Sequence, residues 1–503
     1  MVSEERNDSR NDRIETISNV LTDSLFEEQL EMVLTRLDPD TYRATAIDGS
    51  VTFRRRVAAE RYAYDDIDVT GRHPLANDVT DHYVGHVHER EHSFPHRTVN
   101  SYPHARDSIA QFFDAEHAPD LVLTHTSGHH FDNHLGQHGS LGIIQARAPF
   151  IAAGAGVRSD GFVDRSSRTV NVAPTIALLL GLEPHPRGIG PTGERRHDAL
   201  LRRQDGDPEI AALTGDRANH VVVFLLDGCN ANLLHDAIES GEAPNIAQLV
   251  ARGIAYRHGL MASLPTATLA NHTTEVTGAH PGHTGILHNT WFDRSGGTAP
   301  DLLSMDQMFD AMRHLDPGIE TIWQAVERSR PGAFTTATFE FCDTGASFSS
   351  FVLLNDGIIP PTPDLETLPH LDAESAAGSS QYRFMSTIDH TSAAQTIRAW
   401  QQAEGNPLPT LSWCSLALTD EAGHESGPHG RAARAAVRDS DGRIGDVLAA
   451  VEAAGVLDRT AVLVIADHGM EQNDPANTAT WTDALNSTGI AHRDIGDGLI
   501  YLL

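Results

Sequence analysis

Two kinds of apolar pattern alternate along residues 219–503. Continuous apolar runs of strand length, at 221–226 and 461–466, each end directly before an aspartate. Segments with apolar residues three and four positions apart lie between and around these runs and predict helices at 244–253, 321–328 and 432–454. Strands that alternate with helices in this way predict an α/β fold with a mostly parallel sheet sandwiched by helices.

The first 183 residues give a more mixed pattern. Residues 1–18 are polar and predict a disordered tail. The apolar spacing over residues 26–37 predicts a helix. The remaining elements predicted in this part are a hairpin at 43–56 around Asp48-Gly49, helices at 105–113 and 172–180, and strands at 120–124 and 148–153.

Three further segments lack clear periodicity. Residues 65–106 are polar and rich in histidine, and they predict a loop. Residues 184–218 are rich in Pro, Gly, Arg and Asp, which is typical of a linker between 19–183 and 219–503. Residues 330–395 interrupt the second part and predict a small cap insertion over the site.

Composition limits the kinds of molecule that this protein is expected to bind. The 503 residues carry a formal charge of -32, and all 37 basic residues are arginine. A surface this acidic repels nucleic acid polymers and anionic membranes. A small phosphorylated substrate can still bind if divalent cations in the site make the local electrostatic potential positive. The three cysteines, Cys229, Cys342 and Cys414, form no CxxC pair and predict a cytoplasmic protein. The sequence leaves the oligomeric state open.

Acids and histidines suited to metal binding follow the predicted strands. Asp227 ends one strand, Asp467-His468 ends another, and Asp420 and His424 stand four residues apart. The carboxyl ends of parallel strands meet at one edge of a sheet, where ligands collect. Imidazole and carboxylate groups are ligands that zinc prefers, and two such ions can hold both oxygens of an in-line displacement. Taken singly, these residues also fit a turn or a solvated helix face.

A longer segment carries a family resemblance. Residues Pro265-Thr266-Ala267-Thr268-Leu269-Ala270-Asn271-His272, followed by Thr277-Gly278 and His288-Asn289, resemble the nucleophile region of the nucleotide pyrophosphatase/phosphodiesterase group. This group belongs to the alkaline phosphatase superfamily. Asp227, Asp420 with His424, and Asp467-His468 resemble the metal motifs of the same family, in the family's order.

The resemblance implies an alkaline phosphatase-like core, a set of roles and two divalent ions, zinc or alternatively manganese. Thr268 would be the nucleophile, although a threonine at a helix start is more commonly a cap. Asn289 would hydrogen-bond a phosphoryl oxygen. The implied ligands are Asp227, Thr268, Asp467 and His468 for one ion, and Asp420, His424 and a histidine from the family's C-terminal portion for the other.

That last histidine is missing from the expected place, because only His492 follows His468. Residues 120–183 are similar to the family's closing segment, and within them His138 is the predicted ligand, ahead of its rivals His125, His129, His130 and His134. The resemblance therefore implies a circular permutation. Residues 19–183 would be the displaced C-terminal part of the catalytic core, and 219–503 its main part.

The implied activity is hydrolysis of phosphodiester or nucleotide pyrophosphate bonds through a covalent threonine intermediate. Phosphonoacetate hydrolases share the nucleophile and the ligand types, so carbon–phosphorus cleavage is an alternative, and phosphomonoester hydrolysis is another. Sulfatases are disfavoured because their Cys/Ser-x-Pro-x-Arg signature is absent around Thr268. A protein that binds a phosphate ligand with metal but does not turn it over is the non-enzymatic alternative.

Overall fold

The structure, a computed structural model, describes residues 2–129, 134–304, 307–360 and 368–503, with residues 2–8 as backbone only. The strands are Leu30–Asp38, Thr41–Ala46, Gly49–Ala58, Arg61–Gly71, Leu121–His125, Gly136–Gln137, Arg147–Ala148, Phe150–Gly154, Gly161–Val163, Ser167–Arg168, His220–Leu226, Gly253–Tyr256, Leu260–Met261, Thr335–Thr338, Phe348–Ser349, Leu411–Leu416, Thr460–Ile465, Glu471–Gln472, His492–Asp494 and Leu499–Leu502. The α-helices are Val2–Leu21, His86–Glu91, Ala105–Phe112, Ile143–Ala146, Val172–Leu180, Ala231–Glu239, Pro244–Ala251, Thr268–Thr277, Pro281–Thr284, Ile322–Ser329, Ser350–Asn355, Ala373–Gly378, Ser380–Trp400, Leu418–Ser426, Arg431–Ala453 and Thr482–Ser487. None of these helices combines the length and the hydropathy needed to cross a bilayer.

An eight-stranded sheet forms the centre of the molecule. Its spatial order is Phe348–Ser349, Thr335–Thr338, Leu411–Leu416, His220–Leu226, Thr460–Ile465, Phe150–Gly154, Gly253–Tyr256 and Gly161–Val163. Every neighbouring pair runs parallel except the two that involve Phe150–Gly154, which is antiparallel to both of its neighbours. The predicted α/β fold with a mostly parallel sheet is thereby confirmed. Strands from both sides of the 184–218 segment share this one sheet.

A second sheet of seven strands is antiparallel throughout. Its order is His492–Asp494, Leu499–Leu502, Leu121–His125, Leu30–Asp38, Thr41–Ala46, Gly49–Ala58 and Arg61–Gly71. The predicted hairpin is confirmed, with Ala46 facing Gly49 across its turn. The last strand of the chain therefore lies beside strands from the first part of the sequence.

The predicted helix over 26–37 is wrong, because Leu30–Asp38 is a strand. Its apolar residues are buried on both faces of the second sheet. Met32 and Leu34 join one hydrophobic cluster, whereas Leu30 and Val33 join another. A strand that is covered on both faces has a continuous apolar run, and periodicity alone does not separate such a run from a buried helix.

The predicted disordered tail over residues 1–18 is also wrong, because Val2–Leu21 forms a helix. The helix is polar overall, but Ile14, Ile17 and Leu21 are buried in the cluster that covers one face of the second sheet. Three apolar residues at helical spacing are enough to dock it, since most helical stability in proteins comes from packing of one face.

Two further boundaries differ from the expectation. The strand Thr335–Thr338 belongs to the central sheet, so the predicted cap over 330–395 is wrong for this stretch; residues 361–367 of that range lie outside the described part. The expected linker over 184–218 has little regular structure, yet Ala199, Leu201 and Ala212 are fully buried. This segment packs onto the core and does not separate two domains.

Candidate metal centre

Three neighbouring strands of the central sheet deliver acids to the same edge. Asp227 follows His220–Leu226, and Asp467 lies just beyond the adjacent parallel strand Thr460–Ile465. On the other side, Leu411–Leu416 leads into the helix Leu418–Ser426, which carries Asp420 and His424. The carboxyl ends of these strands coincide, as the sequence pattern predicts for a ligand site in such a sheet.

The first group of candidate ligands consists of Asp227, Asp467 and His468, whose ligand atoms lie within 4.8 Å of one another. The His468 Nε2 atom is 3.1 Å from the Asp467 Oδ2 atom and 4.0 Å from the Asp227 Oδ1 atom. Thr268 opens the helix Thr268–Thr277, and its Oγ1 atom lies 3.5 Å from the same His468 Nε2 atom. The predicted nucleophile therefore borders the first group.

The second group consists of His138, Asp420 and His424. The Nε2 atoms of the two histidines are 3.1 Å apart. The Asp420 carboxylate lies 3.7 Å from His138 Nε2 through Oδ1 and 3.4 Å from His424 Nε2 through Oδ2. Two imidazole nitrogens and a carboxylate thus face one point, although His138 comes from the other side of the 184–218 segment.

A short ladder brings His138 to this point. Gly136–Gln137 pairs antiparallel with Glu471–Gln472, the strand that follows the Asp467-His468 turn. The Leu135 N–H donates to the His424 carbonyl at 2.7 Å, which ties the same loop to the Asp420 helix. The loop before His138 is therefore bonded to both segments that carry the other ligands.

All three candidate histidines are oriented in the same way. The Nδ1 atoms of His138, His424 and His468 lie 2.8, 2.9 and 2.9 Å from the backbone carbonyls of Thr266, Gly136 and Gly469. A carbonyl oxygen only accepts, so each Nδ1 carries the proton and each Nε2 presents a lone pair to the cleft. Metal-binding histidines are typically held by such a hydrogen bond on their other nitrogen.

The electrostatics of the two groups fit divalent cations. Burial and the neighbouring Asp467 and Asp420 carboxylates raise the pKa of Asp227 to about 7, and burial raises the pKa of Asp467 to about 7. Burial, with the neighbouring His468 and His424, holds the pKa of His138 well below its usual range. Within the described residues, Asp227 Oδ1, Asp420 Oδ1 and Asp467 Oδ2 have no hydrogen-bond partner. A bound cation would satisfy these oxygens and favour their charged forms.

Gly228 is required by the close approach of the two groups. Its φ of +58° is a left-handed conformation that favours glycine. A Cβ atom at this position would lie 2.1 Å from the Asp420 Oδ1 atom. Only a residue without a side chain lets the turn after Asp227 pass this carboxylate.

Asn289 lies beside the predicted nucleophile. Its Oδ1 atom accepts a hydrogen bond of 3.1 Å from the backbone N–H of Leu269, the residue after Thr268. Because this oxygen is engaged, the amide N–H groups remain to donate to a ligand. Asn289, His138 and His424 line one cavity of about 330 Å³.

The rivals of His138 have other surroundings. His129 Nδ1 lies 2.9 Å from the Asn477 carbonyl, and His125 Nδ1 lies 3.1 Å from the Thr126 carbonyl. The His134 ring is 4.9 Å from the His424 ring but belongs to neither ligand group found among the described residues. His130 lies outside the described part of the chain.

Sequence reasoning missed one pair at this site. His272, on the helix that Thr268 opens, lies beside the first group and contacts Glu340. His272 belongs to the segment that resembles the family's nucleophile region, but Glu340 lies within residues 330–395, which were expected to form a cap. A pairing across that distance in sequence has no local signal.

Comparison with known proteins gives a family match over the second part of the chain. Residues 221–503 match the family "Type I phosphodiesterase / nucleotide pyrophosphatase". An uncharacterized pyrophosphatase/phosphodiesterase of Schizosaccharomyces pombe is 25% identical over 275 residues, which cover 54% of this chain and 49% of that protein. Ectonucleotide pyrophosphatase/phosphodiesterase family member 3 of Rattus norvegicus is 24% identical over 270 residues, covering 52% of this chain and 26% of that protein.

Two solved structures are also similar. Murine ectonucleotide pyrophosphatase / phosphodiesterase 5 is 20% identical with a TM-score of 0.36, and the match covers 50% of this chain and 58% of that chain. Phosphonoacetate hydrolase from Sinorhizobium meliloti 1021 is 20% identical with a TM-score of 0.34, covering 51% and 58%. The chain spans about half the length, or less, of the curated relatives it matches. The family match extends over more than half of the sequence, and the chain belongs to the type I phosphodiesterase / nucleotide pyrophosphatase family.

Proposed function

We propose that this protein hydrolyses phosphodiester or nucleotide pyrophosphate bonds with two divalent metal ions and Thr268 as the nucleophile. One observation carries the proposal. In a chain of this family, three histidine Nε2 lone pairs and three aspartate carboxylates form two groups beside the Thr268 hydroxyl. A site that only binds a ligand has no need of a hydroxyl at that position.

The residues present fit zinc, with manganese as the alternative. Asp227, Thr268, Asp467 and His468 would hold one ion, and His138, Asp420 and His424 the other. Their imidazole and carboxylate donors are ligands that zinc prefers. Bound ions would lower the pKa of a coordinated hydroxyl and neutralise charge on the phosphoryl oxygens.

The chain's own residues then account for the two halves of the reaction. The Thr268 Oγ1 atom, having lost its proton to solvent, forms a bond to phosphorus, and the bond from phosphorus to the leaving oxygen breaks. The leaving group takes a proton from solvent. Asn289 donates an N–H to a phosphoryl oxygen. Water cleaves the resulting phosphothreonine ester and restores the hydroxyl, so the chain is unchanged after one turnover.

We also propose that the sequence is circularly permuted relative to its family. Three observations support this. The family match begins only at residue 221. The strand Phe150–Gly154 nevertheless lies inside the central sheet, between Thr460–Ile465 and Gly253–Tyr256. The Arg13 Nη2 atom donates to the Leu503 carbonyl at 3.0 Å, so the first helix lies against the last strand.

Rearranging the gene tests the permutation. A chain with residues 219–503 first, a short Gly/Ser linker, and residues 9–218 last should fold, bind the same number of ions and keep the native turnover. Its unfolding transition should match that of the native order. A rearranged chain that folds but loses the second metal would contradict the proposal.

Hydrolysis of model esters tests the activity. Metal-stripped protein, restored with zinc or manganese, is assayed on bis(p-nitrophenyl) phosphate and on p-nitrophenyl phosphate. A metal-dependent preference for the diester is the expected result, and a nucleotide series then defines the leaving group. A preference for the monoester would reassign the enzyme as a phosphatase. Turnover of phosphonoacetate alone would indicate carbon–phosphorus cleavage, and binding of phosphate without any turnover would leave only a binding role.

The compartment proposed for this protein is the cytoplasm. Cys229, Cys342 and Cys414 are buried free thiols, which is typical of proteins in a reducing environment. Fractionation of the producing cells should recover the activity with cytoplasmic markers, and recovery outside the cell would contradict this.

A further inference from the structure

A buried histidine lies next to the first ligand group. His272 is 1% exposed, and its Nδ1 atom lies 3.0 Å from both carboxylate oxygens of Glu340. Its Nε2 atom points the opposite way, 3.7 Å from Asp227 Oδ2 and 3.9 Å from Asp467 Oδ2. Both ring nitrogens therefore face carboxylate oxygens, and Nδ1 donates its N–H to Glu340.

Glu340 is itself held in place. It is fully buried, accepts a hydrogen bond of 2.8 Å from the Ser415 hydroxyl and one of 3.0 Å from the Cys342 N–H. Ser415 lies on the strand Leu411–Leu416, next to the strand His220–Leu226, which Asp227 follows. The carboxylate is thus fixed by the central sheet, and it fixes the direction in which the His272 ring points.

The Nε2 atom on the other side of the His272 ring has no hydrogen-bond partner among the described residues. Among the described residues, His272 Nε2, Asp227 Oδ1 and Asp467 Oδ2 are all buried and all lack a hydrogen-bond partner. The 3.7 Å distance is too long for a hydrogen bond. Each buried polar group without a partner costs about 1–3 kcal/mol, so this arrangement is a poor way to stabilise a fold.

We propose that His272, oriented by Glu340, is a positioning residue that sets the spacing of the Asp227 and Asp467 carboxylates for one metal ion. The inference rests on the proposed function, because it assigns these two aspartates as metal ligands. The effect of His272 would lie in orientation, as is typical of groups that contact the ligands of a metal and not the metal itself.

Substitution of His272 separates its two contacts. The Asn side chain of His272→Asn has an amide N–H that can replace Nδ1 toward Glu340 but cannot reach the two aspartates. In the double variant His272→Gln with Glu340→Gln, the longer amide can replace Nε2 toward the aspartates, and no carboxylate is left buried without a partner. The single variant should lose the positioning contact, and the double variant should regain it.

The measurement is the zinc affinity of the first group, by competition with a chromophoric chelator. His138→Ala with His424→Ala removes the second group and serves as the background in which all variants are compared. His272→Asn should weaken zinc binding about 10- to 100-fold. The double variant should recover most of this loss.

His283 provides a matched control, because its side chain is only 8% exposed and also lies between two carboxylates. Its Nδ1 atom lies 2.6 Å from Asp205 and its Nε2 atom 3.2 Å from Asp114, and neither acid belongs to a ligand group. His283→Asn should lower the unfolding temperature but leave zinc affinity within about twofold. Equal weakening in both histidine variants, or a lower unfolding temperature in His272→Asn with unchanged zinc affinity, would overturn the positioning role. If the background itself binds no zinc, the metal centre and the proposed function fail together.

Discussion

The imidazole rings of His138 and His468 stack face to face, with centroids 3.8 Å apart and planes at 20°. One ring comes from the chain before the 184–218 segment and the other from the chain after it. Each belongs to a different ligand group, and each has its Nδ1 atom against a backbone carbonyl. The stack therefore couples the two groups into one site and depends on both parts of the chain.

Removing His138 should cost one metal ion. His138→Ala should bind one zinc equivalent fewer than the native protein, because Asp420 and His424 alone offer two donors in a partly exposed position. Metal content after gel filtration measures this. His125→Ala, a change in a neighbouring histidine outside the ligand groups, should keep the full content. Unchanged zinc in His138→Ala would assign the ligand to another histidine.

Removing the Thr268 hydroxyl should abolish turnover and leave both metal ions bound. Thr268→Ala should lower kcat by at least about 10³-fold, as expected for loss of a nucleophile. Thr274→Ala is the control on the same helix, since that hydroxyl donates to the Ala270 carbonyl at 2.8 Å and belongs to neither ligand group. Steady-state kinetics with metal analysis makes the comparison, and near-native turnover in Thr268→Ala would refute the assignment.

A side chain at Gly228 should disturb the second ligand group. Gly228→Ala would bring a Cβ atom 2.1 Å from Asp420 Oδ1 and should weaken metal binding by His138, Asp420 and His424. Gly241→Ala tests backbone strain alone, because its φ is +81° and a Cβ there meets nothing within 4 Å. Both variants should lose about 1–2 kcal/mol of stability, but only the first should lose metal. Equal metal content in the two would contradict this reading of the turn.

Glu31 should make stability depend on pH. Burial raises its pKa from 4.5 to about 7, although Tyr102, Asn100 and Ser140 donate hydrogen bonds to it. The folded state holds this proton more tightly, so the contribution is complete below pH 4.5 and is lost as the pH rises through 7. The loss is about 3 kcal/mol in the free energy of unfolding, at 1.36 kcal/mol for each pH unit.

Glu31→Gln should remove most of this pH dependence. Denaturant unfolding of metal-free protein at several pH values between 4.5 and 7 gives the slope, which should be flatter in the variant. Glu28→Gln, at an exposed position two residues before the strand that carries Glu31, should keep the native slope. A variant slope equal to the native one would show that Glu31 titrates normally.

Glu275 should be replaceable with a gain in stability. Its carboxylate is fully buried on the Thr268 helix, and neither oxygen has a hydrogen-bond partner among the described residues. Burial and the nearby Asp467 raise its pKa well above the usual range, so its penalty grows as the pH rises from 4.5. Glu275→Met should raise the free energy of unfolding by about 1–3 kcal/mol near neutral pH. Glu275→Gln, which keeps the polar end, should gain less; a loss in the Met variant would reveal a partner.

The features that local sequence encodes were predicted correctly. The central strands before Asp227 and Asp467 are continuous apolar runs, and their alternation with helices is a property of short windows. The helix Val172–Leu180 ends at Gly181, which has a φ of +62°, as the glycine predicts. The three motifs at the sheet edge are likewise contained in a few residues each, and the structure brings them together. The roles that the resemblance gives to Thr268 and Asn289 stay predictions.

Some features depend on which distant segment of the chain buries a given residue, and only the tertiary structure decided these. Leu30–Asp38 is a strand because both of its faces are covered, and the helix Val2–Leu21 is docked by a sheet built from distant segments. His138 joins Asp420 and His424 through a ladder with Glu471–Gln472, and His272 contacts Glu340, 68 residues away in sequence. Periodicity records which faces of a segment are apolar. It does not record which segment will cover them, and that choice assembles this site.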